Sequence, residues 1–182
     1  KDSAKGKLVA EYQDNETYSS IIEENEARAQ DISYALSFVE KESAQEKALF
    51  ANIDKLDAII SLGSRFKDDE EKLAAVFDNL DYANALNELV EEFKNQPSRI
   101  ELILENPELS PAVLSAYIDF ESTGSTALIN DLFADSESMK ETLSNDGINK
   151  LRQKYSNYEE ELERYSDRAG EIKSLLEQFE GN

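Results

Sequence analysis

The chain has 182 residues, of which 40 are acidic and 19 basic, for a formal net charge of −21. A surface this acidic repels phosphate backbones and anionic lipid headgroups, which excludes a nucleic-acid binder of the ordinary basic kind. Histidine and cysteine are both absent, which removes the usual general base, the commonest metal ligand, disulfides and thiolate catalysis.

Only six glycines and three prolines occur, a composition that favours long uninterrupted helices over strands and turns. The expected fold class is all-α: an elongated antiparallel helical bundle of three to four long helices, with short helices in a proline-containing middle. The expected organisation is a single domain over 1–182, with 1–12 a flexible tether and 95–146 a short-helix insertion. No internal repeat is apparent from the residue types. No run approaches the ~18 apolar residues of a membrane span. The start at Lys1, with Met139 the sole methionine, reads as a trimmed piece whose anchor lay upstream.

In chain order, the first predicted long helix runs through Tyr18, Ile22, Asn25, Ala29, Ile32, Leu36 and Val39, which alternate spacings of three and four. Phe50, Ile53 and Ile60 resume the stripe, and it weakens at Ser43 and Glu46. Gly63 is expected just past the helix end, with Ser64 capping the next. A second long helix is predicted from about Phe66 to Phe93, with Asp68, Asp69, Glu70 and Glu71 in its first turns, where the helix dipole favours negative charge. Pro97, Pro107 and Pro111 each reset the chain. Ser110-Pro111 opens a short helix reaching Phe120, Gly124 breaks it, and short helices follow near Thr126–Phe133 and Ser136–Leu143. Asn145-Asp146-Gly147 then marks the start of a final helix. Its seam of Ile148, Leu151, Tyr155, Tyr158, Leu162, Tyr165, Ala169, Ile172, Leu176 and Phe179 fits coiled-coil-like packing.

Four places invite a chemical reading. Asp119-Phe-Glu121-Ser-Thr123-Gly124 imitates the start of a calcium loop, but Asn130 stands where the closing glutamate belongs. The cluster Asp68–Glu71 offers carboxylates to a cation, and reads first as a solvated helix start. Tyr155, Tyr158 and Tyr165 fall at seam spacing, where core aromatics are the ordinary outcome. Glu46 is the one acid on an apolar seam, the position an acid–base catalyst needs. None carries a metal, cofactor or catalytic assignment, and the chain reads as a non-enzyme.

The residues Tyr18, Ile21, Arg28-Ala29, Ile32, Val39, Glu46-Lys47 and Phe50 fall at the spacings of the first helix of the LemA family of membrane-anchored bacterial proteins. Glu105-Asn106-Pro107-Glu108-Leu109 resembles that family's "E-N-Y-P-x-L" turn. Tyr165 and Phe179-Glu-Gly181-Asn182 resemble its closing helix and "F-P-G-N" end. Glu46, Leu49, Phe50, Ile53, Tyr158 and Tyr165 also resemble cell-wall-binding lipoproteins of the YkyA type. Either resemblance implies a bacterial envelope protein attached through an N-terminal anchor, outside any catalytic class. The leading expectation is an envelope-associated interaction or scaffold module with a protein partner, itself a monomer. An extracytoplasmic ligand-sensing bundle of a receptor is the alternative, and a carboxylate-only hydrolase a third.

Overall fold

An asparagine recurs at positions 25, 52, 79 and 106, each 27 residues after the last, and each closes a helix in the same way. In the computed structural model, the Asn25 side-chain amide donates to the Ile21 carbonyl, Asn52 to Ala48, Asn79 to Ala75 and Asn106 to Leu102, all at 2.9–3.0 Å. These bonds add a side-chain donor to carbonyls in the last turn of each helix, where backbone donors run out. All four asparagines leave the helical region, with φ between −108° and −133°. The carbonyls of Asn25, Asn52 and Asn79 then accept from the N–H three residues on, winding one 3₁₀ turn before the next helix.

The structure describes residues 3–154, and its helices follow that punctuation. Residues Lys1–Glu108 and Leu109–Asn182 form two compact units. The first holds α1 (Ala4–Glu11), α2 (Glu16–Glu24), α3 (Ala29–Leu36), α4 (Ala44–Ala51), α5 (Leu56–Phe66), α6 (Glu70–Phe77), α7 (Ala83–Glu92) and α8 (Pro97–Glu105). The 3₁₀ turns Glu26–Arg28, Ile53–Lys55 and Leu80–Tyr82 join α2 to α3, α4 to α5 and α6 to α7, and a fourth, Pro107–Leu109, follows α8. The second unit holds α9 (Ser110–Ser122), α10 (Thr126–Leu132) and α11 (Ser136–Lys154). The fold is all-α, with no strand among the described residues.

Burial keeps the same register. Three residues before each asparagine stand Ile22, Leu49, Val76 and Ile103; four after it stand Ala29, Leu56, Ala83 and Ser110; seven after it stand Ile32, Ile59, Leu86 and Val113. Ten after it stand Ala35, Leu62, Leu89 and Ala116, and all sixteen residues are buried. Each large aliphatic among them stabilises the fold by about 1.5–3 kcal/mol. Such recurrence is the signature of a helical repeat, in which neighbouring units complete one another's core. In the first unit, α1, α3, α5 and α7 pack side by side in one layer, and α4, α6 and α8 in the other. In the second unit, α9, α10 and α11 pack against one another, with Leu132 and Met139 buried.

Several expectations are corrected. The described helices are 7–19 residues long, and the long runs expected over Tyr18–Ile60 and Phe66–Phe93 are each divided. Residues 1–12 are not a loose tether from residue 4 on: α1 is capped by Ser3 and buries Leu8 and Tyr12. Gly63 does not end a helix but lies buried inside α5, because a Cβ there would stand 2.6 Å from the Phe38 ring. Ser64 does not cap the next helix; Asp69 does. Helix α11 runs through Asn145-Asp146-Gly147 without a break, since Asp135 supplies an N-cap by accepting from the Ser138 N–H at 2.8 Å and leaves no role for a later one. The 95–146 segment therefore does not stop at a turn. Gly124 does break the chain, at φ 68°. Beyond Lys154 the expected seam, including Tyr155, Tyr158 and Tyr165, lies outside the described residues.

Candidate functional site

The buried acid foreseen on the first seam is the most constrained ionisable group described. Ser43 caps α4, its hydroxyl accepting from the Glu46 N–H at 3.0 Å. The Glu46 carboxylate turns back to accept from the Glu42 N–H at 3.0 Å, a one-residue extension of the reciprocal capping box. Glu42 takes a left-handed φ of 63°, the bend that brings its N–H round. The other carboxylate oxygen accepts from the Tyr12 hydroxyl at 2.5 Å. Glu46 is 3% exposed.

The surroundings explain the electrostatics. Tyr12 stands edge-on to Tyr18 and Phe50, which stack on each other with centroids 4.0 Å apart. Burial first, then the bond to Glu46, push the Tyr12 phenol far above the ordinary tyrosine range. Lys41 lies over the Tyr12 ring at 5.2 Å and pairs with Glu11 at 3.3 Å. Each Glu46 oxygen accepts from a protein donor, so the arrangement fastens Tyr12, at the end of α1, to α4.

The other nominated places resolve as packing and capping. Asp69 caps α6 and pairs with Lys72 at 2.9 Å, which holds its carboxyl below the usual range. Glu70 and Glu71 occupy the first turn of α6, while Asp68 stands exposed before it. Asp119 to Ser122 are helical, Asp119 pairs with Lys150, and its carbonyl accepts from the Ser122 and Thr123 hydroxyls. Asn130 sits within α10, so these residues do not wrap a calcium loop. Among the described residues, no three acids are grouped to hold a metal ion.

What residue types alone did not reveal is the set of polar bridges between successive units. The Arg28 guanidinium reaches Asp57 and, at 3.2 Å, Asp31. Asn52 donates to Asp81 at 3.1 Å, Lys55 donates to the Asp81 carbonyl at 2.9 Å, and Gln45 donates to Asp78 at 2.8 Å. The Tyr34 hydroxyl and Ser64 lie 3.2 Å apart, joining α3 to α5. The 27-residue asparagine spacing was the available signal. No family model, curated protein or solved structure matches the chain.

Proposed function

We propose that the chain is a non-catalytic interaction or scaffold module, working at a bacterial cell envelope through an anchor that precedes it. The observation that carries the reading is the 27-residue register of stacked helical units. Such a stack presents equivalent positions on successive helices, a geometry suited to holding another polypeptide across several units. The occupied Glu46 and the absence of histidine and cysteine favour binding over catalysis. Envelope attachment rests on the resemblance to LemA and YkyA-type proteins. Among the described residues no helix is long and apolar enough to cross a membrane, so attachment on this reading belongs to the anchor.

Photo-crosslinking tests this in the cell that makes the protein. Benzoylphenylalanine is placed at Gln30, Asp57 and Asn84, equivalent exposed positions of three successive units, and membranes are separated from cytosol. One protein adduct shared by at least two positions, in the membrane fraction, is expected. A cytosolic protein with no shared adduct overturns the proposal.

A second reading has one observation in its favour. In the Leu109–Asn182 unit a cleft of about 360 Å³ is lined by Phe120, Leu128, Asp131, Glu141 and Asp146 among others, a volume suited to a small ligand. On this reading the protein is the ligand-sensing part of a receptor. It predicts that a small cation shifts the NMR signals of α10 and α11 without any protein adduct forming.

A further inference from the structure

We propose that the cleft of the Leu109–Asn182 unit binds a linear polyamine, a methylene chain carrying two or three ammonium groups. The proposal rests on the ligand-binding reading of that cleft, not on the scaffold reading, and names the class of ligand. Ser138, Glu141, Thr142, Asn145, Asp146 and Asn149 recur along α11 at steps of three and one, which a helix gathers into one stripe. All six line the cleft, together with Phe120 of α9 and Leu128 and Asp131 of α10. The contact between α10 and α11 is made by other positions, Leu132 and Met139, both buried. The polar stripe is left to face open space.

Two observations besides the acids point to a ligand. Thr142 is only 7% exposed, and its hydroxyl has no hydrogen-bond partner among the described residues. A polar group at that depth calls for a partner from outside. Leu128, on the same cleft, is 42% exposed, so apolar surface stands uncovered beside the polar stripe. A ligand that covers it with methylenes gains from the burial.

The lining selects the charge. Every polar side chain in it carries an acceptor oxygen, and neither lysine nor arginine contributes. Asp131 and Glu141 are exposed and form no ion pair among the described residues. Lys150 reaches Asp146 at 2.8 Å and also Asp119, so Asp146 is partly neutralised and the open charge lies with the other two. Lys140 is exposed on the opposite side of α11. An anionic ligand is therefore repelled. A metal ion is a poor match, because no three acids among the described residues are grouped to hold one. Glu141 and Asp146 instead bound the stripe on its two edges, across a helix about 10–12 Å wide with its side chains. A linear triamine, extended at about 1.2 Å per bond, spans about 11 Å. Its amines are protonated at neutral pH, as lysine's is. They reach separated carboxylates while the methylenes between them lie against Leu128 and Phe120.

The test titrates spermidine into the isotope-labelled whole chain and follows the amide NMR signals. Saturable binding is expected, with the largest shifts at Leu128, Asp131 and Glu141 to Asn149. Asp131→Asn combined with Glu141→Gln is expected to weaken it at least about tenfold. Glu70→Gln combined with Glu71→Gln removes the same charge from the first turn of α6 and leaves affinity within about twofold. All four positions are exposed, and circular dichroism verifies folding. Equal weakening by the two double variants reveals a diffuse cation atmosphere and overturns the site. Shifts at the cleft with butylamine or magnesium chloride as strong as those with spermidine overturn the polyamine assignment while the ligand-binding reading stands. Absence of cleft shifts with all three removes that reading as well.

Discussion

Asparagine at 52 does more than end a helix. Its amide meets both the Ala48 carbonyl and Asp81, and its carbonyl oxygen accepts from Lys55 at 2.6 Å. Alanine there removes the bonds to Asp81 and Lys55 and uncouples two units at once, which costs about 1–3 kcal/mol. Asn25, only half-buried and with the single bond to Ile21, is expected to cost less on the same substitution. Urea unfolding of the two variants checks the order; equal losses contradict the keystone role. Tyr12 supplies the second residue-scale prediction. Its phenol titrates higher in the folded chain than the ordinary value of 10.0. The stabilisation is therefore complete below pH about 10 and lost as pH rises above it, where the unfolded chain releases the proton and the folded one holds it. Tyr12→Phe should flatten that alkaline loss while lowering stability at neutral pH, because the buried Glu46 loses a donor. Unfolding measured from pH 7 to 11.5 shows both effects or contradicts the bond.

At the scale of the element, most of the helical residues were legible in the sequence and most of the helix lengths were not. The buried positions three before and four after each asparagine stand seven residues apart. Seven residues make two turns of a coiled-coil helix, so the step across a 3₁₀ turn imitates an unbroken seam. Asn25 itself stands in the stripe that reads as continuous. Glu46 was legible as an inward acid because it interrupts apolar neighbours; its partner Tyr12 was not, since a contact across 34 residues leaves no local trace. Gly63 was misplaced for a related reason. Glycine ordinarily marks a helix end, whereas here it admits the Phe38 ring against the middle of α5. Gly63→Ala raises helix propensity by about 1 kcal/mol, yet overpacking costs about 1–3 kcal/mol. The loss should prevail and lower the melting temperature. Combining it with Phe38→Leu should restore part of the loss, and a thermal melt of the three variants decides whether the ring is responsible.

For the molecule as a whole, the register means that units are interchangeable in phase and not otherwise. Stability in a stacked array is the sum of unit and neighbour terms, so a complete period can leave without altering which columns face one another. Removing 26–52 joins Asn25 to Ile53 and restores the sequence helix, asparagine, 3₁₀ turn, helix. It also removes Phe38, so Gly63 loses its obstruction, and it sets Leu73 in the place that Glu46 held opposite Tyr12. Removing 26–47 instead takes out fewer residues but joins Asn25 to Ala48 in mid-helix and puts every later buried column out of phase. The larger deletion should therefore be the better folded of the two. It should keep its helical circular dichroism per residue and unfold cooperatively at a lower temperature than the whole chain. The smaller should melt without a sharp transition. If the smaller deletion unfolds as cooperatively as the larger, the 27-residue period is not the unit that organises this core.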